Sequence, residues 1–205
     1  MMNRNYISSE FYSETSDSIE LARFATSEVQ FPISNILDLC AGNGVVGIEF
    51  VLSKGYDPEI APKIEFLEFQ RCYSEIITAN IKKFIPGYDC NIHIADYRKI
   101  IGDIDVLGKQ DVILCNPPYF DPSEGRLPPN HKKALAKFEI KSSLGELLAF
   151  LKQYLRHTPR SCAFITYPRN RWELRSAIEL QKQELKLLKI EEVKDIYLIK
   201  LGHHF

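Results

Sequence analysis

The residues best suited to chemistry form the stretch Cys115-Asn116-Pro117-Pro118-Tyr119-Phe120, directly after the apolar run at 111–114. Each proline fixes its own φ and keeps the preceding residue out of the helical region, so a stiff turn is expected after a buried strand. A hydrogen-bonding amide on such a turn, beside a flat aromatic surface, suits a planar substrate that carries an amino group. The motif alone leaves open a rigid loop whose aromatics fill the core.

Three acidic residues close the strands that are predicted upstream of this motif. The strands are expected at 33–39, 63–68 and 91–95. The acids at their ends are Asp38, Glu68 and Asp96. Because the carboxyl ends of parallel strands meet at one edge of a sheet, where ligands bind, we expect these acids to share that edge with Asn116.

A glycine turn, Cys40-Ala41-Gly42-Asn43-Gly44, follows the first of these strands. Gly42 and Gly44 tolerate a positive φ and let the backbone approach a ligand closely. The spacing through Gly47 matches the dinucleotide fingerprint, but here an acid, Asp38, precedes the glycines. That order favours a ligand with a cationic group over a pyrophosphate.

Strands and helices alternate along most of the chain. Helices are expected within the first thirty residues and at 45–54, 70–84, 142–157 and 170–184, and further strands at 111–115, 162–167, 187–193 and 196–201. This order predicts an α/β fold, a Rossmann-like and mostly parallel sheet of seven strands with helices on both faces. Residues 1–30 are expected to form a lid or packing helix, and residues 31–205 a single domain.

The composition fits one soluble domain. The 205 residues, 45% of them hydrophobic, are enough for one sizeable core. The five cysteines are widely spaced and form no CxxC pair, which favours reduced thiols over disulfides or a metal site. An apolar signal region and an apolar run of ~20 residues are both lacking, so we expect a cytoplasmic protein without membrane contact. The oligomeric state is left open.

Charge is unevenly distributed, although the formal net charge is only -1. Residues 116–175 carry 11 Lys and Arg against 5 Asp and Glu, a net of +6. This basic excess suits the phosphates of a nucleic acid, and ordinary solvated helix faces explain it equally well. The candidate phosphate contacts are Arg126, Lys132, Lys133, Lys137, Arg169, Arg171 and Arg175.

Taken together, these motifs resemble those of class I S-adenosylmethionine-dependent methyltransferases that methylate amino groups. The matching residues are Asp38-Leu39-Cys40-Ala41-Gly42-Asn43-Gly44, Glu68, Asp96 and Asn116-Pro117-Pro118-Tyr119. Phe120 and the segments at 17–24 and 134–139 are similar to the bacterial enzymes that methylate N6 of adenine 37 in valine tRNA. Lys137-Phe138 stands where those enzymes carry an Arg-His pair.

The resemblance implies a role for each of these residues. S-adenosyl-L-methionine would be bound by Asp38, Ala41, Gly42, Gly44, Glu68, Asp96 and Asn116. The catalytic residues would be Asn116, Pro117, Pro118 and Tyr119, with Asn116 and the Pro117 carbonyl accepting hydrogen bonds from the target amine. The RNA would be bound by Phe120, Arg126, Lys132, Lys133 and Lys137. The resemblance implies no metal ion in the site.

The function that the resemblance implies is N6-methylation of an adenine in RNA, with adenine 37 of a tRNA anticodon loop as the expected target. Three alternatives stay open. They are N5-methylation of a glutamine in a protein such as a release factor, N6-methylation of adenine in DNA, and a catalytically silent nucleic-acid-binding protein with the same fold. Phe120 and the basic excess favour RNA, and the intact Asn116 motif favours catalysis.

Overall fold

A computed structural model of the chain describes residues 4–8, 16–103, 107–118 and 143–205. The helices in these ranges are α1 (Ser16–Glu28), α2 (Val45–Lys54), α3 (Ser74–Phe84), α4 (Leu144–Tyr154) and α5 (Arg169–Gln183). The strands are β1 (Asn35–Leu39), β2 (Lys63–Glu68), β3 (Cys90–Ile94), β4 (Val112–Cys115), β5 (Cys162–Pro168), β6 (Leu185–Val193) and β7 (Ile196–His203). None of these helices is long and apolar enough to cross a bilayer.

The predicted strands and helices all form, and the differences lie at their ends. β1 begins at Asn35 rather than near residue 33, because the backbone N–H groups of Ser34 and Asn35 both donate to the Asp111 side chain. The helix expected from residue 70 opens as a 3-10 turn, Arg71–Tyr73, before α3. β1 also extends one residue past Asp38, so that acid is the penultimate residue of its strand.

The seven strands form one sheet in the order β3-β2-β1-β4-β5-β7-β6. β1 to β5 run parallel to one another, and β7 lies between β5 and β6 and is antiparallel to both. The strand order reverses between β1 and β4, which is the topological switch point where open α/β sheets bind ligands. The prediction of a Rossmann-like, mostly parallel sheet with helices on both faces is confirmed.

Each face of the sheet carries its own hydrophobic cluster. Alternate residues of β4 divide between them, so Val112 and Leu114 pack on the side of α1, α2 and α3, and Ile113 packs on the side of α4 and α5. Parallel strands covered on both faces are apolar along their whole length, and this explains the continuous apolar runs in the sequence. The site residues stand where these runs end.

Helix α1 belongs to the first of these two clusters. Its buried residues lie at helical spacing on one face: Ser18, Leu21, Ala22, Phe24 and Ala25. Phe24 makes an edge-to-face contact with Phe164 of β5, with ring centroids 5.5 Å apart. The helix is therefore fixed against the sheet by core packing, close to the carboxyl ends of β4 and β5.

Candidate active site

The carboxyl edge of the sheet brings together the polar residues that the sequence predicted there. In the register of β1, Leu39 lies opposite Leu67 on one side and Cys115 on the other. Glu68 and Asn116 each follow one of these partners, so they flank the start of the glycine turn. Asp96 stands one strand further out, two residues after β3 ends. The parallel register thus creates one crevice from four separate parts of the sequence.

The glycine turn bends sharply because three of its residues adopt left-handed backbone conformations. Gly42 has φ 56° and Gly44 has φ 81°, as the sequence predicted for both glycines. Cys40 also has a positive φ, 59°, which costs a non-glycine residue roughly 1–2 kcal/mol. The Ala41 N–H donates to Leu67 at 3.1 Å, so the turn is bonded to β2 before α2 begins. Sequence reasoning missed the strained Cys40.

Asp38 is a fully buried carboxylate with one unused oxygen. Its Oδ2 atom accepts a hydrogen bond from the Gly47 N–H at 2.9 Å, and Oδ1 has no partner among the described residues. Burial raises the pKa of the Asp38 carboxyl to about 8, and the charge of Glu68 adds a smaller increase. A ligand with a cationic group would supply the missing partner and favour the ionised carboxylate.

Glu68 joins the end of β2 to the glycine turn. Its Oε2 atom accepts from the Gly42 N–H at 2.9 Å, and its Oε1 atom accepts from the Gln70 N–H at 2.7 Å. Burial raises the pKa of the Glu68 carboxyl, although both N–H groups favour its ionised form. A carboxylate has about four lone-pair sites, so Glu68 retains the capacity to accept from ligand hydroxyls.

Asp96 is paired with a residue that the sequence analysis did not single out. Arg98 donates to Oδ1 through Nε at 2.8 Å and to Oδ2 through Nη2 at 2.5 Å. The Arg98 guanidinium holds the pKa of the Asp96 carboxyl below its usual value. Asp96 is thus not a lone acceptor, and a ligand at this end of the crevice would meet a carboxylate–guanidinium pair.

The side-chain amide of Asn116 is held from two sides. Its Nδ2 atom donates to Ser18 Oγ of α1 at 2.8 Å, and its Oδ1 atom accepts from Thr166 Oγ1 of β5 at 2.5 Å. Pro117, directly after Asn116, is buried, and Pro118 is partly buried. Sequence reasoning missed both hydroxyl partners, which lie 98 and 50 residues away along the chain.

A second layer of contacts supports the glycine turn from behind. The fully buried Asn80 of α3 donates through Nδ2 to the carbonyl oxygens of Asn43 and Ile7, each at 2.9 Å. Its Oδ1 atom accepts from the Ile7 N–H at 2.8 Å. One side-chain amide therefore links the turn to the amino-terminal segment at 4–8. Asn43 itself is fully buried, and its own amide has no partner among the described residues.

Several predicted residues of the site lie outside the described residues. These are Tyr119, Phe120, Arg126, Lys132, Lys133 and Lys137. Two of the other candidate phosphate contacts are engaged within the protein. Arg169 forms an ion pair with Glu192, and Arg171 is buried. Trp172 is also buried and packs edge-to-face against Tyr167.

Solved structures with the same fold were found. A ribosomal protein L11 methylase from Lactobacillus delbrueckii subsp. bulgaricus aligns with a TM-score of 0.66 and 11% identity, over 94% of this chain and 81% of that chain. A precorrin-6y C5,15-methyltransferase from Geobacter metallireducens GS-15 aligns with a TM-score of 0.63 and 13% identity, over 97% of this chain and 94% of that chain. A candidate RNA methyltransferase from Pyrococcus horikoshii aligns with a TM-score of 0.63 and 12% identity, over 92% of this chain and 84% of that chain.

These similarities show that the chain has the class I methyltransferase fold. In this chain the antiparallel strand β7 lies between β5 and β6. No protein with a curated description matches the sequence. Residues 6–139 match the family described as Conserved hypothetical protein 95. This match covers more than half of the chain, so the chain belongs to the Conserved hypothetical protein 95 family.

Proposed function

We propose that the chain is an S-adenosylmethionine-dependent methyltransferase that methylates N6 of an adenine in RNA, with adenine 37 of a tRNA anticodon loop as the target. One observation carries this proposal. Asn116 follows β4 at the same sheet edge at which Glu68 bonds to the glycine turn and Asp38 bonds to the first turn of α2. An acceptor for an amino group thus stands beside a set of buried acids that suits a cationic nucleoside.

The unused oxygen of Asp38 is the feature that best fits the proposed cofactor. A carboxyl whose pKa is raised to about 8 by burial lacks a compensating positive charge. When bound, S-adenosyl-L-methionine supplies an electrophilic methyl group on a sulfonium, and its methionyl end carries an ammonium group. Asp38 would face that end, together with the backbone of Ala41, Gly42 and Gly44.

The other two acids suit the nucleoside part of the same cofactor. Glu68 would accept hydrogen bonds from the ribose hydroxyls through lone pairs that Gly42 and Gln70 leave unused. The Asp96–Arg98 pair would border the adenine, since it follows β3, the strand adjacent to β2. Asp96 would accept from the adenine amine with Arg98 fixing its orientation.

Asn116 and the Pro117 carbonyl would orient the target amine. An exocyclic adenine amine is a poor nucleophile because its lone pair is delocalised into the ring. Two acceptors that favour a more tetrahedral nitrogen would direct that lone pair at the methyl group, a contribution of orientation and electrostatic stabilisation. Asn116 Oδ1 has a second lone pair besides the one that Thr166 uses.

RNA is favoured over the other substrate classes by three features. The net charge of residues 116–175 is +6, Phe120 adds a second aromatic residue directly after Tyr119 in the sequence, and one of the similar structures is a candidate RNA methyltransferase. Extruding a base costs a few kcal/mol, and stacking returns about 1–3 kcal/mol per base. An anticodon-loop adenine is already largely exposed and has no pairing partner to lose, so the cost would be lower than for a paired base.

The test is a transfer assay with the purified protein and methyl-labelled cofactor. Unmodified tRNA, a release factor and duplex DNA are offered in parallel, and Asn116→Ala serves as the inactive control. We expect label in the RNA, released as N6-methyladenosine on digestion. Label in the protein fraction alone would instead favour glutamine methylation, the alternative that uses the same acceptors. Nucleoside analysis of tRNA from a strain lacking the gene would then identify the position.

A further inference from the structure

We infer that Ser18 and Thr166 are positioning residues that set the orientation of the Asn116 amide. Through Ser18, helix α1 contributes to the active site. This inference rests on the proposed role of Asn116 as the acceptor for the target amine. Thr166 lies outside the motifs by which the sequence resembles the amino-methylating enzymes, and Ser18 lies in the segment at 17–24, to which the resemblance assigns no role. Both are properties of this chain that only the tertiary structure brings to the Asn116 motif.

The first argument is the geometry around Asn116. The amide donates to Ser18 Oγ at 2.8 Å and accepts from Thr166 Oγ1 at 2.5 Å, so each end of the amide has its own partner. Ser18 is 2% exposed and Thr166 is fully buried. Neither hydroxyl can exchange its Asn116 bond for one to bulk water at low cost, because burying an unbonded hydroxyl is unfavourable.

The second argument is that Ser18 is held by a rigid element. It occupies the buried face of α1 in line with Leu21, Ala22 and Ala25, where an apolar residue is the usual choice. The far end of α1 is anchored as well, since Glu28 forms ion pairs with Lys189 and Lys200. A polar residue at the amino-terminal end of this packed face is therefore a fixed hydrogen-bonding point next to Asn116.

The third argument concerns Thr166. It lies on the same face of β5 as Phe164, and its backbone pairs with Leu198 of β7. A β-branched side chain has restricted χ1 freedom, so the direction of the Thr166 hydroxyl is set by the strand itself. The donor that contacts Asn116 Oδ1 is consequently in place before any substrate binds.

These two contacts decide what the amide presents to a substrate. With Nδ2 committed to Ser18, the oxygen end lies on the Thr166 side, and Thr166 uses one of its two lone pairs. The second lone pair remains for a donor such as an amine. If the amide turned over, its N–H groups would face the amine and two donors would meet. In the observed arrangement Ser18 accepts from Nδ2 and Thr166 donates to Oδ1, so the hydroxyl pair holds Asn116 with its oxygen available as an acceptor.

The kinetic test compares variants that remove one hydroxyl with variants that keep it. Thr166→Val and Ser18→Ala should each lower kcat roughly 10- to 100-fold, as expected when a reacting group is misplaced, without raising the KM for RNA or the Kd of the cofactor. Thr166→Ser keeps the hydroxyl and should retain most of the activity. Ser27→Ala is the matched control on α1, because among the described residues the Ser27 hydroxyl donates to the Phe24 carbonyl of the same helix.

A second measurement does not depend on activity. The side-chain NH₂ signals of Asn116, identified by their loss in Asn116→Ala, should shift and exchange faster in Thr166→Val and Ser18→Ala but not in Ser27→Ala. If wild type transfers methyl groups while both hydroxyl-free variants match it in kcat and spectrum, the positioning role is wrong. If wild type transfers no methyl group to any substrate, the proposed function fails, and the Asn116 signals still test the hydroxyl contacts.

Discussion

The Glu68 carboxylate lies 2.9 Å from the backbone nitrogen of Gly42 and accepts its hydrogen bond. The residue proposed to bind the ribose is thus also the residue that bonds the glycine turn to β2. The Gln70 N–H, in the connection that follows β2, donates to the other carboxylate oxygen. The shape of the glycine turn and the binding of the proposed cofactor therefore both depend on Glu68. Its removal should affect both.

Replacing Glu68 by Ala should weaken cofactor binding and reduce folding stability together. The variant leaves the part-buried Gly42 and Gln70 N–H groups without their partner, which costs at most about 1–3 kcal/mol per group. Calorimetric titration with cofactor and urea denaturation check the two effects. Glu68→Gln is the control, because its side-chain oxygen can still accept one of the two bonds. Cofactor affinity equal to wild type in Glu68→Ala would contradict the ribose assignment.

Asp38 should make the ligand-free protein less stable as the pH rises. Its pKa is raised from 3.8 to about 8 in the folded state, so between these values the unfolded chain releases a proton that the folded chain retains. The stabilisation is fully present below about pH 4 and is lost as the pH approaches 8, with a slope of at most about 1.4 kcal/mol per pH unit. Urea denaturation across this range should show a smaller slope for Asp38→Asn.

The same titration should appear in cofactor binding. A cationic ligand favours ionised Asp38, so wild type should bind S-adenosyl-L-methionine more tightly as the pH rises toward about 8 and should release a proton on binding. Calorimetry in buffers of different ionisation enthalpy measures that proton. Asp38→Asn should bind more weakly and release none. Proton release that is the same in wild type and Asp38→Asn would show that another group titrates.

Removing the Asn116 side chain should separate binding from chemistry. Asn116→Ala is expected to retain most of the cofactor affinity, since Asp38, Glu68 and the glycine turn supply the main contacts of the proposed cofactor site. Methyl transfer should fall by about 100-fold or more, in the range seen when one preorganised transition-state contact is lost. Calorimetry and single-turnover transfer measure the two quantities. Weak cofactor binding with normal transfer at saturation would mean that the two sites are exchanged.

Asn80 should hold the amino-terminal segment and the glycine turn at once. Asn80→Ala removes three hydrogen bonds, two to Ile7 and one to Asn43, from a fully buried position. We expect a loss of about 1–3 kcal/mol or more in unfolding free energy and faster hydrogen exchange at the Ile7 amide. Arg4→Ala is the control, since its bond to Glu49 holds the same segment without contacting the turn. Unchanged exchange at Ile7 in Asn80→Ala would show that this link is dispensable.

The elements of the fold were predictable because each leaves a local pattern. The run at β4 is apolar throughout, as a strand covered on both faces requires, and it ends where Pro117 and Pro118 begin. Gly42 and Gly44 indicated the left-handed turn by residue type alone. Cys40 gave no such signal, since its positive φ is imposed by the turn rather than favoured by the residue.

The tertiary structure decided which residues surround those motifs. Arg98 reaches Asp96 from a 3-10 turn two residues away, a pairing that no spacing rule singles out. Ser18 looked like one polar residue in an amphipathic helix, and Thr166 like one residue of a buried strand. The sequence by itself therefore determined the sheet, the acids at its edge and the Asn116 motif. The hydroxyls that hold Asn116 follow only from packing α1 and β5 against β4, because side-chain bonds across 98 and 50 residues leave no local pattern.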